Sequence, residues 1–327
     1  MKALEFASEQ RPHIVEHPVP TPGPGEVLVA ARRVGICHSD IELLHGRYII
    51  PFSYPIIPGH EWAGEIAGVG SGVTSLSVGD RVVGECVIGD DHFGFSISGA
   101  SAEYFIARPD WLHRLPDSMT WAEGALVETF TVGYYALMRA GNVNGSDLVV
   151  VLGAGPVGLT VTAAAAAMGA TTLVVEPSEE RRAVALQLGA AEAVTPEQCD
   201  EAVARLSADR GADVVVECSG HPEVMARSLE LAAFKGRVAF LGIDVGKTAP
   251  AALGLIQAKE LTITGSIGAP GVWPQALRLL ASQKIDLSPL VTHVFGIEDG
   301  LDAINAASGQ AGVIKAQIDM TAVVPAP

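Results

Sequence analysis

The stretch Leu148–Leu159, Leu-Val-Val-Val-Leu-Gly-Ala-Gly-Pro-Val-Gly-Leu, constrains this chain more than any other. Its β-branched apolar run reads as a buried strand. The run breaks into Gly153-Ala154-Gly155-Pro156-Val157-Gly158, and an Ala-rich helix follows to Met168. Strand, glycine turn and helix in that order make a dinucleotide-binding turn. Gly153 permits the tight turn, Gly155 lets a pyrophosphate approach the backbone, and Gly158 lets helix and strand pack closely. The N–H groups of the helix that opens at Pro156-Val157 then hold the phosphates.

A second apolar strand, Thr172–Val175, ends in Glu176, near the offset of about 20 residues at which an acid grips a ribose 2′-OH. From Leu148 to Val175 the chain carries no charge, and such a run can be a membrane span. Gly153, Gly155, Pro156, Gly158 and Gly169 interrupt it, however, so two buried strands around one buried helix explain it better.

With 327 residues, 49% of them hydrophobic, the chain can bury two cores. The start Met1-Lys2-Ala3-Leu4-Glu5 has no apolar h-region, so no signal peptide is expected. Cys37, Cys86, Cys199 and Cys218 show no close pairing, which points to a reducing, cytoplasmic setting. A net charge of −16 argues against nucleic acid as a partner. No membrane partner is expected either.

Up to about residue 140, short apolar runs alternate with Gly and Pro. Glu26–Val34, Ala63–Val69 and Arg81–Val83 read as strands of a β-barrel-like unit. From Trp121 to Arg139 the period becomes helical. Strand–helix alternation follows: helix Arg181–Leu188, strand Ala212–Cys218, helix Glu223–Ala232, and strands Arg237–Leu241 and Leu261–Ser266. This order implies a doubly wound parallel sheet with ligands at the carboxyl ends of its strands, where Ser219 and Gly242 fall. After a further helix, Gln275–Gln283, the tail is too short to be a domain and is expected to return to the first one.

The first unit supplies the reactive groups. Cys37-His38-Ser39-Asp40 follows a strand, and Pro58-Gly59-His60-Glu61 comes one excursion later. Thiolate, imidazole and carboxylate are the ligand set of a catalytic zinc with one position left for substrate. Glu128 stands alone in Ala125-Leu126-Val127-Glu128-Thr129-Phe130, where burying its charge is costly unless it is paired or coordinated. Singly, each has a plainer reading as core cysteine, satisfied histidine or helix-start glutamate. Their conjunction with a dinucleotide turn favours the metal.

Cys37-His38-Ser39-Asp40, Gly59-His60-Glu61 with Gly64 and Gly70, Gly79-Asp80-Arg81-Val82 and the glycine turn resemble, in order and spacing, the zinc-dependent medium-chain alcohol dehydrogenases. Leu126-Val127-Glu128 and Leu290–Phe295 are similar to the polyol (sorbitol) dehydrogenase branch. Tyr54–Trp62 and Thr264–Gly268 resemble the aminocyclitol (2-deoxy-scyllo-inosamine) dehydrogenases of antibiotic biosynthesis. The resemblance implies an α/β protein with a GroES-like β-barrel catalytic domain (1–141), a Rossmann doubly wound NAD-binding domain (142–272) and a return segment of the catalytic domain (273–327). It also implies a homo-oligomer and a small-molecule substrate.

By the same resemblance Cys37 and His60 ligate zinc, Glu61 or Glu128 completes the site, and Asp40 orients His60. Ser39 takes the substrate proton, with His45 or Glu42 as the next station. Val132 and the backbone around Ser266–Gly268 line the nicotinamide. NAD is preferred through Glu176, and NADP is tolerated because Arg181 and Arg182 blunt that preference.

Two departures from the family pattern narrow the expectation. Gly84–Gly99 holds only Cys86, so one catalytic zinc and no structural zinc are expected. Gly268-Ala269 replace the Arg–aromatic pair of the polyol branch, which shifts the expected substrate from a linear polyol to a secondary alcohol or ketone on a polyhydroxylated ring, such as an aminocyclitol or amino sugar. A sorbitol-like dehydrogenase is the alternative. A zinc-free quinone-reductase-like or non-catalytic NADPH-binding protein is the alternative of another class.

Overall fold

The computed structural model describes residues 1–141, 143–244 and 246–321. Its contacts divide into two compact units, Met1–Glu128 with Val291–Pro327, and Thr129–Leu290. The divisions fall at 128/129 and 290/291, where the sequence reading put 141/142 and 272/273. The helix Val127–Arg139 explains the first shift. Its Gly133 lies so close to Thr160 of the helix Pro156–Ala167 that a Cβ would meet the Val161 backbone nitrogen at 2.8 Å. The Thr160 hydroxyl also donates to the Thr129 carbonyl at 3.2 Å.

The unit Thr129–Leu290 is built on a six-stranded, all-parallel sheet. Its order is Glu192–Val194, Thr171–Val175, Leu148–Leu152, Ala212–Glu217, Ala232–Phe240 and Thr262–Gly265. Every residue of Leu148–Leu152 is buried, as a strand covered on both faces requires. Val150, Leu173, Val203, Val215 and Val238 join in one core. Leu148–Leu152 is flanked by both Thr171–Val175 and Ala212–Glu217, so the strand order reverses beside it. A crevice at the carboxyl ends opens at such a point.

The other unit centres on a seven-stranded sheet in which Val27–Gly35 pairs antiparallel with Glu61–Val69, with Tyr104–Ala107 and with Lys315–Asp319. Val291–Gly296 runs parallel to Lys315–Asp319, so the returning chain supplies two strands to this sheet. Leu4, Phe6, Val29, Ile66, Phe105 and Ile318 fill its core. The molecule is thus the expected α/β protein, with a β-rich first unit and a doubly wound second one. Among the described residues no helix is long and apolar enough to cross a membrane.

Candidate metal centre and dinucleotide turn

Cys37, His60 and Glu61 each bring one ligand atom to a common point, all within 4.8 Å of one another. The strand Val27–Gly35 delivers Cys37, which caps the helix His38–Leu44 in an extended conformation. The Cys37 backbone N–H donates to Asp40 Oδ2 at 2.9 Å, while Asp40 Oδ1 lies 3.5 Å from His60 Nδ1. One carboxylate therefore holds the Cys37 backbone and faces the imidazole, although Asp40 Oδ1 and His60 Nδ1 have no hydrogen-bond partner among the described residues. Gly59 holds the left-handed turn before His60 (φ +96°). Gly35 has no Cβ because one would collide with the Glu61 carboxylate.

The sequence reading missed Lys315. Its Nζ lies 2.7 and 2.6 Å from the two Glu61 oxygens and 3.3 Å from the Ile36 carbonyl, with 2% of its side chain exposed. The only local signal was a lone lysine in the apolar run Val313-Ile314-Lys315-Ala316.

Burial raises the Glu128 carboxyl to about 7, against an ordinary 4.5, with His60 opposing and Glu61 adding to the effect. Burial pulls the His60 imidazole down, but Asp40 and Cys37 outweigh it and hold it well above its usual value. Burial also pushes Cys86 up to about 12. Asp40, Glu61 and Glu128 are buried and the Cys37 thiol is half-buried, with the buried Lys315 ammonium paired to Glu61. This thiol–imidazole–carboxylate set fits zinc.

Ser39 is buried, with Oγ 3.4 Å from His60 Nε2. His45 closes the same helix, its Nδ1–H donating to the Ile41 carbonyl at 2.7 Å. Glu42 is bound by the Arg47 guanidinium at 2.8 Å, which lowers its carboxyl.

The segment 84–99 folds as a small hairpin, Val87–Ile88 against Asp91–His92. The Ser96 hydroxyl accepts from the His92 N–H at 2.9 Å and donates to Asp91 at 3.0 Å. Glu85 pairs with His113 at 2.8 Å. Phe95 from this segment lies 5.0 Å, ring to ring, from His60, and Tyr48 stacks on Phe95 at 5.0 Å. The sequence reading overlooked both aromatic rings, since nothing local marks a loop tyrosine as a neighbour of a distant histidine.

In the second unit Gly153 takes φ +96° and its N–H donates to the Val175 carbonyl at 2.9 Å. Gly155 caps the helix, with Pro156 at its first turn. A Cβ on Gly155 would stand in open space, leaving that backbone approachable, whereas one on Gly158 would collide with the Gly153 carbonyl. Glu176 is buried, and its carboxylate accepts from the Ala154 and Ser178 N–H groups at 2.8 and 3.0 Å.

Arg182 is tied to the Glu176 and Pro177 carbonyls at 2.8 and 2.7 Å. The Arg181 backbone N–H donates to the Ser178 hydroxyl at 3.4 Å. Val132 is half-buried, and the buried Ser266 Oγ has no hydrogen-bond partner among the described residues. Glu217, a further group missed in the sequence, accepts from the Ser219 and Gly220 N–H groups at 2.7 and 3.1 Å and ties down the loop beside Gly153. A Cβ on Gly242 would strike Gly220, so these two turns pack backbone to backbone.

The alcohol dehydrogenase GroES-like domain matches residues 23–117, and the zinc-binding dehydrogenase domain matches residues 156–282. The sorbitol dehydrogenase of Halalkalibacterium halodurans is 34% identical over 337 residues, spanning 95% of this chain and 97% of its own. A zinc-binding dehydrogenase of Sinorhizobium meliloti 1021 bound to NADP superposes with a TM-score of 0.89 at 26% identity, covering 97% and 98% of the two chains. An alcohol dehydrogenase of E. coli CFT073 complexed with NADH gives 0.88 at 26% identity, covering 98% and 99%.

Proposed function

This chain belongs to the zinc-dependent medium-chain alcohol dehydrogenase family, and on that premise we propose that it interconverts a secondary alcohol and a ketone on a polyhydroxylated ring, an aminocyclitol or amino sugar, with NAD as preferred cofactor. It is an oxidoreductase that uses zinc and a nicotinamide dinucleotide. The observation that carries the chemistry is the convergence of Cys37, His60 and Glu61, which also speaks against a zinc-free or non-catalytic reading.

In this reading Cys37 and His60 hold the metal, and Glu61 or Glu128 completes its ligands. Zinc, when bound, supplies Lewis-acid stabilisation of the substrate oxygen. Asp40 Oδ1, 3.5 Å from His60 Nδ1, is placed to accept from that nitrogen and so leave Nε2 to ligate. Ser39 accepts the substrate's hydroxyl proton from a buried position and hands it outward, with His45 as the next station through its Nε2. Gly153, Gly155, Pro156, Val157 and Gly158 seat the pyrophosphate. Ser219, Gly242, Val132 and Ser266 line the rest of the cofactor site, and Glu176 takes the ribose hydroxyl.

The ring preference rests on Gly268-Ala269, which stand where the polyol branch carries an Arg–aromatic pair. The sorbitol dehydrogenase relatives favour a second reading, a linear polyol. The deciding experiment is a turnover panel of aminocyclitols, inositols, amino sugars, sorbitol and simple secondary alcohols with each cofactor. Higher kcat/KM on rings supports the proposal, and higher kcat/KM on sorbitol overturns it.

A further inference from the structure

Tyr48 comes just after the helix that carries Ser39 and Asp40. His45 caps that helix, Gly46 turns left-handed (φ +69°), and Tyr48 is the second residue beyond it. Its ring stacks on Phe95 at 5.0 Å and 23°, and Phe95 lies 5.0 Å from the His60 imidazole. Through Phe95 the Tyr48 ring is thus linked to the His60 imidazole of the metal-binding cluster.

Nearby Tyr54 spends its hydroxyl on the Leu43 carbonyl. The Tyr48 hydroxyl has no hydrogen-bond partner among the described residues. A phenol keeps its proton at neutral pH and therefore presents a donor. A half-buried aromatic with a polar tip and no protein partner is suited to a ligand that is apolar on one face and hydroxylated at its edge.

We propose that Tyr48 is a specificity-determining residue. Its hydroxyl donates a hydrogen bond to a hydroxyl or amino group on the carbon next to the one oxidised, and the Tyr48–Phe95 stack lies against the C–H face of the substrate. This rests on the reading above that the reacting alcohol sits at the Cys37–His60 cluster. It adds what selects a vicinally substituted alcohol over a plain one.

The test is calorimetric binding of trans-1,2-cyclohexanediol and of cyclohexanol to the zinc-loaded enzyme with NADH present, for wild type and Tyr48→Phe. The wild type is expected to bind the diol about fivefold more tightly, the worth of one net hydrogen bond. In Tyr48→Phe the diol should fall to the level of cyclohexanol, while cyclohexanol affinity moves less than twofold and zinc content stays unchanged. Equal wild-type affinities, no measurable diol binding, a diol preference that survives in Tyr48→Phe, or an equal loss for both ligands overturns the assignment. Because binding is read without turnover, the result stands apart from the substrate panel that decides the ring reading.

Discussion

Lys315 Nζ sits 2.7 and 2.6 Å from the two oxygens of Glu61, across 254 residues of sequence, with side chains 2% and 1% exposed. Removing one partner of a buried ion pair strands the other charge, which typically costs about 3–5 kcal/mol. Lys315→Met in the metal-free enzyme should lose stability on that scale. The Glu61→Gln/Lys315→Met pair should regain most of it, because neither charge is then stranded. Urea unfolding of the three proteins measures this. A single variant as stable as the double one would mean that Glu61 does not depend on Lys315.

Cys37→Ala and His60→Ala should each lose zinc and turnover while binding NADH as the wild type does, because the glycine turn belongs to the other compact unit. Elemental analysis of dialysed wild type should find about one zinc per chain, since a closed structural site needs a set of ligands that converge. Two tightly held zincs, one of them persisting in Cys37→Ala, would assign a second site to residues 84–99.

Glu176 should set the cofactor preference. On the proposed reading its carboxylate would accept from a ribose 2′-OH and repel a 2′-phosphate. Arg182, tied to the Glu176 and Pro177 carbonyls, is poorly placed to compensate. Wild-type kcat/KM is expected to be higher with NAD than with NADP, and Glu176→Gln should narrow the gap by about tenfold, one charged hydrogen bond's worth. A wild-type advantage for NADP would remove Glu176 from this role.

Glu128 gives the metal-free protein a pH signature. Burial raises its folded carboxyl to about 7 from 4.5, so the folded state binds this proton more tightly than the unfolded state. Its contribution to stability is therefore full below the unfolded value and is lost as pH rises through the folded one. Unfolding midpoints should fall between about pH 5 and about pH 8, and Glu128→Gln should flatten that difference. Parallel curves for the two proteins would show that the carboxyl ionises without penalty.

The groups that were legible in the sequence are those whose demands are local. Gly153 needs a positive φ and Gly158 needs a missing Cβ, and both needs are met within one strand–turn–helix. Cys37 and Asp40 interact three residues apart in a single cap, so their pairing shows in the spacing. Lys315, Phe95 and Tyr48 reach the cluster through strand register and loop packing, which leave no periodic trace. The Arg47 guanidinium, five residues on, binds the Glu42 carboxylate, a pairing within reach of a local reading. The break near residue 128 was hidden for a related reason. One helix runs through it, and a helical period does not record which neighbours the helix packs against.

The sheet pairing of Lys315–Asp319 with Val27–Gly35 has a consequence for the order of events on the ribosome. A chain emerges from its first residue onward, and domains fold as units when their sequence is complete. All of Thr129–Leu290 has been made before residue 291 appears, so the nucleotide-binding unit has its full sequence while the metal-binding unit still lacks two strands. Until residue 315 is added, Glu61 has been synthesised without the ammonium that neutralises it in the finished fold. Cys37, His60 and Glu61 are thus made first, and the lysine that pairs with Glu61 in the fold becomes available only once residue 315 has been added.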